Sequence, residues 1–231
     1  MNHKSEAKHQ NKPIRKKIRR HGRLSIATHW TIALSTLLLI ISGMGQMPLY
    51  MRYMVTELPG LGWMGNYEIH LILHYIGAAV LVFAAFFHVV FNIMSKQTSL
   101  LPKRGDVKES IQIIKAMMGR GEEPPQEKYL AEQRLAYLFI AFSFLLIIVT
   151  GLVKTAGNLA AVSLSESVML WMTQLHNLGM ILIIFGVFMH LAAFVIKENR
   201  PLVESMFTGK CSEDYAKNRH SKWYNRIRSD K

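Results

Sequence analysis

The sequence predicts an all-α membrane protein, a bundle of four transmembrane helices with both termini cytoplasmic, on three observations. First, apolar and charged residues are segregated. Half of the 231 residues are hydrophobic and 19% are charged, yet whole stretches of about 20 residues, enough to cross ~30 Å of hydrocarbon, carry almost no charge. Second, the 28 Lys and Arg, against 15 Asp and Glu for a net charge of +13, fall almost entirely in three segments. Third, the apolar stretches lack the period-two alternation of barrel strands. Backbone groups in lipid must then be satisfied within helices.

The elements follow in order. Residues 1–23 hold nine Lys and Arg and form a basic cytoplasmic segment; up to residue 20 it is expected to lack fixed structure and to be drawn to anionic membrane lipid. The first helix, about 24–47, is too long for a signal-peptide core and reads as a retained anchor. The second covers about 69–94. The loop 95–134 holds eight Lys and Arg and is broken at Pro102, Gly119, Gly121, Pro124 and Pro125. Between the breaks lies an amphipathic stretch, 107–118, whose Ile111, Ile114, Ala116 and Met118 suit a membrane surface or a solvated linker equally. The third and fourth helices cover about 135–153 and 168–196, closing the membrane domain 24–196. The cytoplasmic tail, 197–231, holds nine more Lys and Arg.

Only Arg52 and Lys154 lie in the other two loops, so the positive-inside rule puts both termini and the central loop in the cytoplasm. The net charge therefore reports orientation and gives no reason to invoke nucleic acid. One cysteine, Cys211, excludes an internal disulfide, a Cys-ligated iron-sulfur cluster and covalent haem attachment through C-x-x-C-H. It reads as structural. Any metal centre must rest on histidines or carboxylates.

Six of the ten histidines, His29, His70, His74, His88, His176 and His190, lie in the spans or at their edges. An imidazole in hydrocarbon needs a partner, which makes each a candidate functional residue. His29 and His190 lie near the cytoplasmic ends of their helices, His74 and His176 near the outer ends. His176 and His190 are 14 residues apart, close to four helical turns, so both leave one face about 21 Å apart. Two planar cofactors, each held by an imidazole from this helix and one from another, fit that spacing. Bis-imidazole ligation of two b-type haems is the matching chemistry. His74 and His88 are also 14 apart, so the second helix could supply both remaining ligands, as in bc-type cytochromes. Gly43, Gly77, Gly151, Gly179 and Gly186 suit either a macrocycle or helix packing and receive no site role.

The motifs T-H-W (28–30), A-L-S-T-L-L-L-I-I-S-G (33–43), L-H-Y-I-G (73–77), L-H-N-L-G (175–179) and F-M-H-L-A-A-F (188–194), with the tail M-F-T-G-K-C-S-E-D-Y-A-K-N-R-H-S-K-W-Y-N-R-I (206–227), resemble the cytochrome b (gamma) subunit of respiratory formate dehydrogenases. The nickel-iron hydrogenase cytochrome b belongs to the same superfamily. The resemblance covers roughly residues 20–228. It implies that His29 and His190 hold the iron of an inner haem b and His74 and His176 that of an outer one, leaving His70 and His88 without a ligand role. It also implies an iron-sulfur subunit and a catalytic dehydrogenase subunit outside the inner membrane of a bacterium. Electrons from them would reach a quinone, menaquinone or ubiquinone, near the cytoplasmic face. The chain itself would not oxidise formate.

Before the third helix the family reads roughly Asn-Ala-Gly-Gln-Lys, where this chain has Leu130-Ala131-Glu132-Gln133-Arg134. Glu132, Gln133 and Arg134, with His190, are the candidate quinone residues; a surface ion pair between Glu132 and Arg134 is the plainer expectation. Trp223, Tyr224 and His220 are expected to anchor the tail against the bundle or the lipid interface. A hydrogenase cytochrome b and a stand-alone b561-type quinone oxidoreductase are the alternative functions, and a haem-free anchor with packed or proton-relaying histidines is the competing class.

Overall fold

The computed structural model describes residues 16–229; what is expected of residues 1–15 lies outside them. The described chain runs β1 (Lys17–Arg19), α1 (Arg23–Gln46), α2 (Leu49–Arg52), two 3-10 turns, α3 (Tyr67–Met94), α4 (Asp106–Met117), α5 (Ala131–Asn158), α6 (Glu166–Ala192), two further 3-10 turns, α7 (Arg200–Thr208), β2 (Lys210–Ser212), α8 (Glu213–Arg219) and α9 (Ser221–Ser229). Four helices, α1, α3, α5 and α6, are long and apolar enough to cross a membrane.

Local chemistry starts them. Asn66 accepts from the Ile69 N–H at 3.1 Å and Ser165 from that of Val168 at 3.4 Å, with Glu68 and Glu166 in the first turns of α3 and α6. The Leu130 N–H donates to Gln133 Oε1 at 3.2 Å, so α5 begins before its apolar run.

The interior of the bundle is small and polar while its surface is apolar, the reverse of a water-soluble protein. Thr28, Ser35, Thr36, Ser42, Ser143 and Thr150 are buried, whereas Phe83, Phe86 and Phe188 are exposed. Each of those hydroxyls donates to the carbonyl one turn earlier, so none is an unpaired group in hydrocarbon. The helices pack as two hairpins, α1 on α3 and α5 on α6, with far fewer contacts between hairpins than within them.

The three basic segments meet at one end. β1 pairs antiparallel with β2, Ile18 opposite Cys211. Residues 16–20 are therefore ordered, contrary to the expectation for them; their partner strand lies nearly two hundred residues away, a pairing that composition cannot reveal. Gly209 turns the chain from α7 into β2 with φ 73°, and a Cβ there would lie 2.9 Å from the His21 carbonyl oxygen. Cys211, Ala216, Trp223 and Tyr224 form a small core. The Trp30 indole N–H donates to the Met206 carbonyl at 3.0 Å, tying the cap to α1. Helix α4 lies on the start of α5 through Ile113, buried with Leu130 and Ala131; Ile111 and Ile114 stay exposed.

His220 is fully buried in this cap, and its Nδ1–H donates to the Glu127 carbonyl at 2.7 Å. Burial, then the nearby Arg20 charge, pushes its pKa down to about 3. The released tail takes up the proton near the ordinary value of about 6.5 and the docked tail does not, so docking is strongest above that pH and weakens as pH falls below it, by at most about 1.4 kcal/mol per unit. The protection of residues 210–229 against hydrogen exchange, taken relative to the intrinsic rate at each pH, is expected to fall between about pH 7 and about pH 5, and H220Q should flatten that dependence.

Candidate functional site

The two hairpins face each other through imidazoles. His29 on α1 and His190 on α6 have ring centroids 6.2 Å apart with planes at 51°. His74 on α3 and His176 on α6 also lie 6.2 Å apart, at 64°. A metal between two imidazole nitrogens, with bonds of about 2 Å, requires centroids roughly 6 Å apart. Both pairs meet that spacing, and each takes one ring from each hairpin.

The outer pair has a matched set of neighbours. His74 Nδ1 lies 3.0 Å from Ser42 Oγ, whose hydroxyl donates to the Leu38 carbonyl at 2.8 Å. His176 Nδ1 lies 3.0 Å from Thr150 Oγ1, whose hydroxyl donates to the Leu146 carbonyl at 2.7 Å. With each hydroxyl proton committed to a carbonyl, the imidazole is the donor: Nδ1 carries the proton and Nε2 keeps its lone pair, the tautomer of a metal ligand. The adjacent residues are glycines, and at Gly151 the imidazole leaves less than ordinary van der Waals room for a side chain. A Cβ at Gly43 would lie 3.5 Å from His74 Cε1, and one at Gly151 3.2 Å from His176 Cε1. Around the inner pair the neighbours are aromatic: Trp30 is edge-on to His29 and Phe194 to His190.

These units repeat. L-I-I-S-G (39–43) and I-I-V-T-G (147–151) sit on α1 and α5, L-H-Y-I-G (73–77) and L-H-N-L-G (175–179) on α3 and α6. Gly77 packs on Leu39 as Gly179 packs on Ile147. Sequence reasoning missed Ser42 and Thr150; the recurring hydroxyl-glycine pair opposite each Leu-His was the available signal. At the inner depth the repeat breaks down. The positions matching His29 and His190 are Tyr137 and His88, and these are hydrogen-bonded, His88 Nε2 lying 3.3 Å from Tyr137 Oη and 3.1 Å from Asn92 Nδ2.

The other candidates separate. His70 is fully buried, bonded through Nε2 to the Met64 carbonyl at 2.8 Å and flanked by Tyr50 and Trp63. Arg134 does not pair with Glu132. Its guanidinium forks onto Asp106, with Nε to Oδ2 at 2.9 Å and Nη2 to Oδ1 at 2.6 Å, and Nη1 donates to the Tyr129 carbonyl at 2.6 Å. The expected Glu132–Arg134 pair fails because the α4 carboxylate reaches the guanidinium in bidentate geometry. Gln133 caps α5, and Glu132 keeps a buried Oε2 without a hydrogen-bond partner.

Among the described residues no three metal-ligating side chains converge. Two imidazoles per site suit a metal whose remaining ligands come from a macrocycle. The family model described as prokaryotic cytochrome b561 matches residues 20–209. The chain belongs to that family. The cytochrome is also 25% identical, over 208 residues and 87% of either chain, to the nitrate-inducible formate dehydrogenase cytochrome b556(Fdn) subunit of Escherichia coli strain K12. The same identity and coverage hold for the subunits of that description from Escherichia coli O157:H7 and Shigella flexneri. A membrane cytochrome of this family implies haem b, and the imidazole pairs of this cytochrome fit such a group in spacing and, at the outer pair, in tautomer.

Proposed function

We propose that this chain is the dihaem cytochrome b subunit of a respiratory dehydrogenase. It carries electrons from an iron-sulfur partner outside a bacterial inner membrane to a quinone near the cytoplasmic face, formate dehydrogenase being the first choice of complex. The observation that carries this reading is the pair of facing imidazoles at each of two depths, in a chain related along most of its length to a formate dehydrogenase cytochrome subunit. His74 and His176 would hold the outer haem, His29 and His190 the inner one. Haem b with two imidazole ligands supplies reversible one-electron transfer with no open coordination position.

The chain's own residues do the rest. Ser42 and Thr150 orient the outer rings, Gly151 gives His176 room, and the apolar exterior keeps water out. Quinone reduction takes up protons, and of the candidates before α5, Gln133 and Arg134 are engaged in structural bonds while Glu132 retains an unpartnered buried oxygen. Glu132 is accordingly the proton donor of this reading, with His190 a ligand candidate at the same end of the bundle. We take residues 24–196 as the membrane domain and the segments 1–23, 95–134 and 197–231 as cytoplasmic. Their 26 basic residues support that orientation.

The family's description also favours a second reading, a stand-alone b561-type quinone oxidoreductase. Copurification decides between them: an iron-sulfur subunit retained with the tagged chain supports the dehydrogenase complex, and its absence the stand-alone enzyme. The purified chain is expected to show reduced-minus-oxidised b-type bands and about two haems per chain. H88A is expected to keep both; loss of one would favour the His74–His88 arrangement. A chain without Soret absorbance would sink the haem reading altogether.

A further inference from the structure

We propose that Ser42 and Thr150 are positioning residues for the outer imidazole pair: by accepting the Nδ1 protons of His74 and His176 they fix both rings as Nε2 ligands and lower the reduction potential of the outer iron. The proposal rests on the bis-imidazole reading above and concerns what distinguishes the two sites.

The geometry is specific. Seven hydroxyls on α1 and α5 donate back to their own helix, and of the seven only Ser42 and Thr150 also meet an imidazole, both at 3.0 Å. They are 0% and 2% exposed, so water does not compete for the bond. Each comes from the hairpin partner of the helix bearing its histidine, which lets the hairpin orient the ring before the hairpins meet. Among the described residues, no hydrogen bond reaches a ring nitrogen of His29 or His190; their neighbours are the edges of Trp30 and Phe194.

The chemistry gives a direction. An acceptor on Nδ1–H moves electron density toward Nε2 and makes the imidazole a stronger donor. A stronger donor favours ferric iron, which bears one more positive charge, over ferrous. Two such bonds at the outer site and none at the inner one lower the outer potential relative to the inner. That contribution biases an electron entering at the outer end inward.

The test is an optical redox titration of the purified complex, with low-temperature electron paramagnetic resonance of the oxidised haems, on S42A, T150V and the double variant. Expected are both haems retained, an upward shift of the outer potential in each single variant, a larger one in the double, and an unmoved inner potential. S42T and T150S, which keep the hydroxyl, should return the parent potential. If an alanine or valine variant loses the outer haem, S42C and T150C replace it, since a thiol sulfur is a weak acceptor; haem kept at a raised potential supports the inference. Unmoved outer potentials with haem retained, or haem loss in every variant including S42T and T150S, overturn it. If instead the parent chain binds no haem, or H74A keeps both, the ligand reading itself fails.

Discussion

Alanine at His74 or at His176 is expected to leave one haem per chain where the parent holds two, and the two variants should show the same residual spectrum. Alanine at His29 or His190 should remove the other haem. Each ring pair joins the hairpins with centroids 6.2 Å apart, so on the haem-binding reading losing one ring would leave the group held by a single imidazole across a weakly packed seam. Members of a pair act as a unit, which makes their effects non-additive: H74A/H176A should lose no more than either single variant. A cross-pair double, H29A/H176A, should lose both haems. Haem content by pyridine haemochrome against protein mass reads all of these. One haem retained in the cross-pair double would dismantle the pairing.

The second large effect lies in the loop between α3 and α5. R134M is expected to destabilise the region around α4 by about 3–5 kcal/mol, the usual consequence of leaving a buried charge without its partner. Arg134 and Asp106 side chains are 3% and 2% exposed, and Asp106 also accepts from the Lys103 N–H at 2.7 Å. The Arg134 bonds hold the Asp106 carboxyl below the usual range. The pair's contribution is therefore complete above the ordinary Asp value of about 3.9 and is lost only as pH falls through the lower folded value, leaving the neutral range flat. Limited proteolysis between residues 103 and 130 should quicken sharply in R134M. D106L/R134M should recover much of the loss, because replacing both charges removes the uncompensated one. Equal protease resistance in R134M and the parent would show that the clamp carries no weight.

The membrane helices and the histidine depths were legible because lipid imposes simple rules: length, absence of charge, and an imidazole that needs a partner. Residues governed by long-range packing were not legible. Arg134 looked like a surface partner for Glu132 because the two are neighbours in sequence, while the carboxylate that claims it lies 28 residues earlier on a separate helix. Residues 16–20 looked structureless because their composition is basic and their partner strand is distant. Ser42 and Thr150 resemble the other buried hydroxyls in sequence, and only the opposing helix shows which of them meet an imidazole.

The weak contact between the hairpins bears on how such a protein is made. Each hairpin satisfies its own backbone and hydroxyls and can enter the bilayer alone; along the long helices little besides the histidines draws one toward the other, while the β1–β2 pairing and the Trp30–Met206 bond join them at one end. On the haem-binding reading, the cofactor becomes the fastener of the tertiary structure. An unloaded chain would be two halves hinged at that end, with polar inner faces that a membrane protease could reach, so cofactor supply would govern the lifetime of the polypeptide.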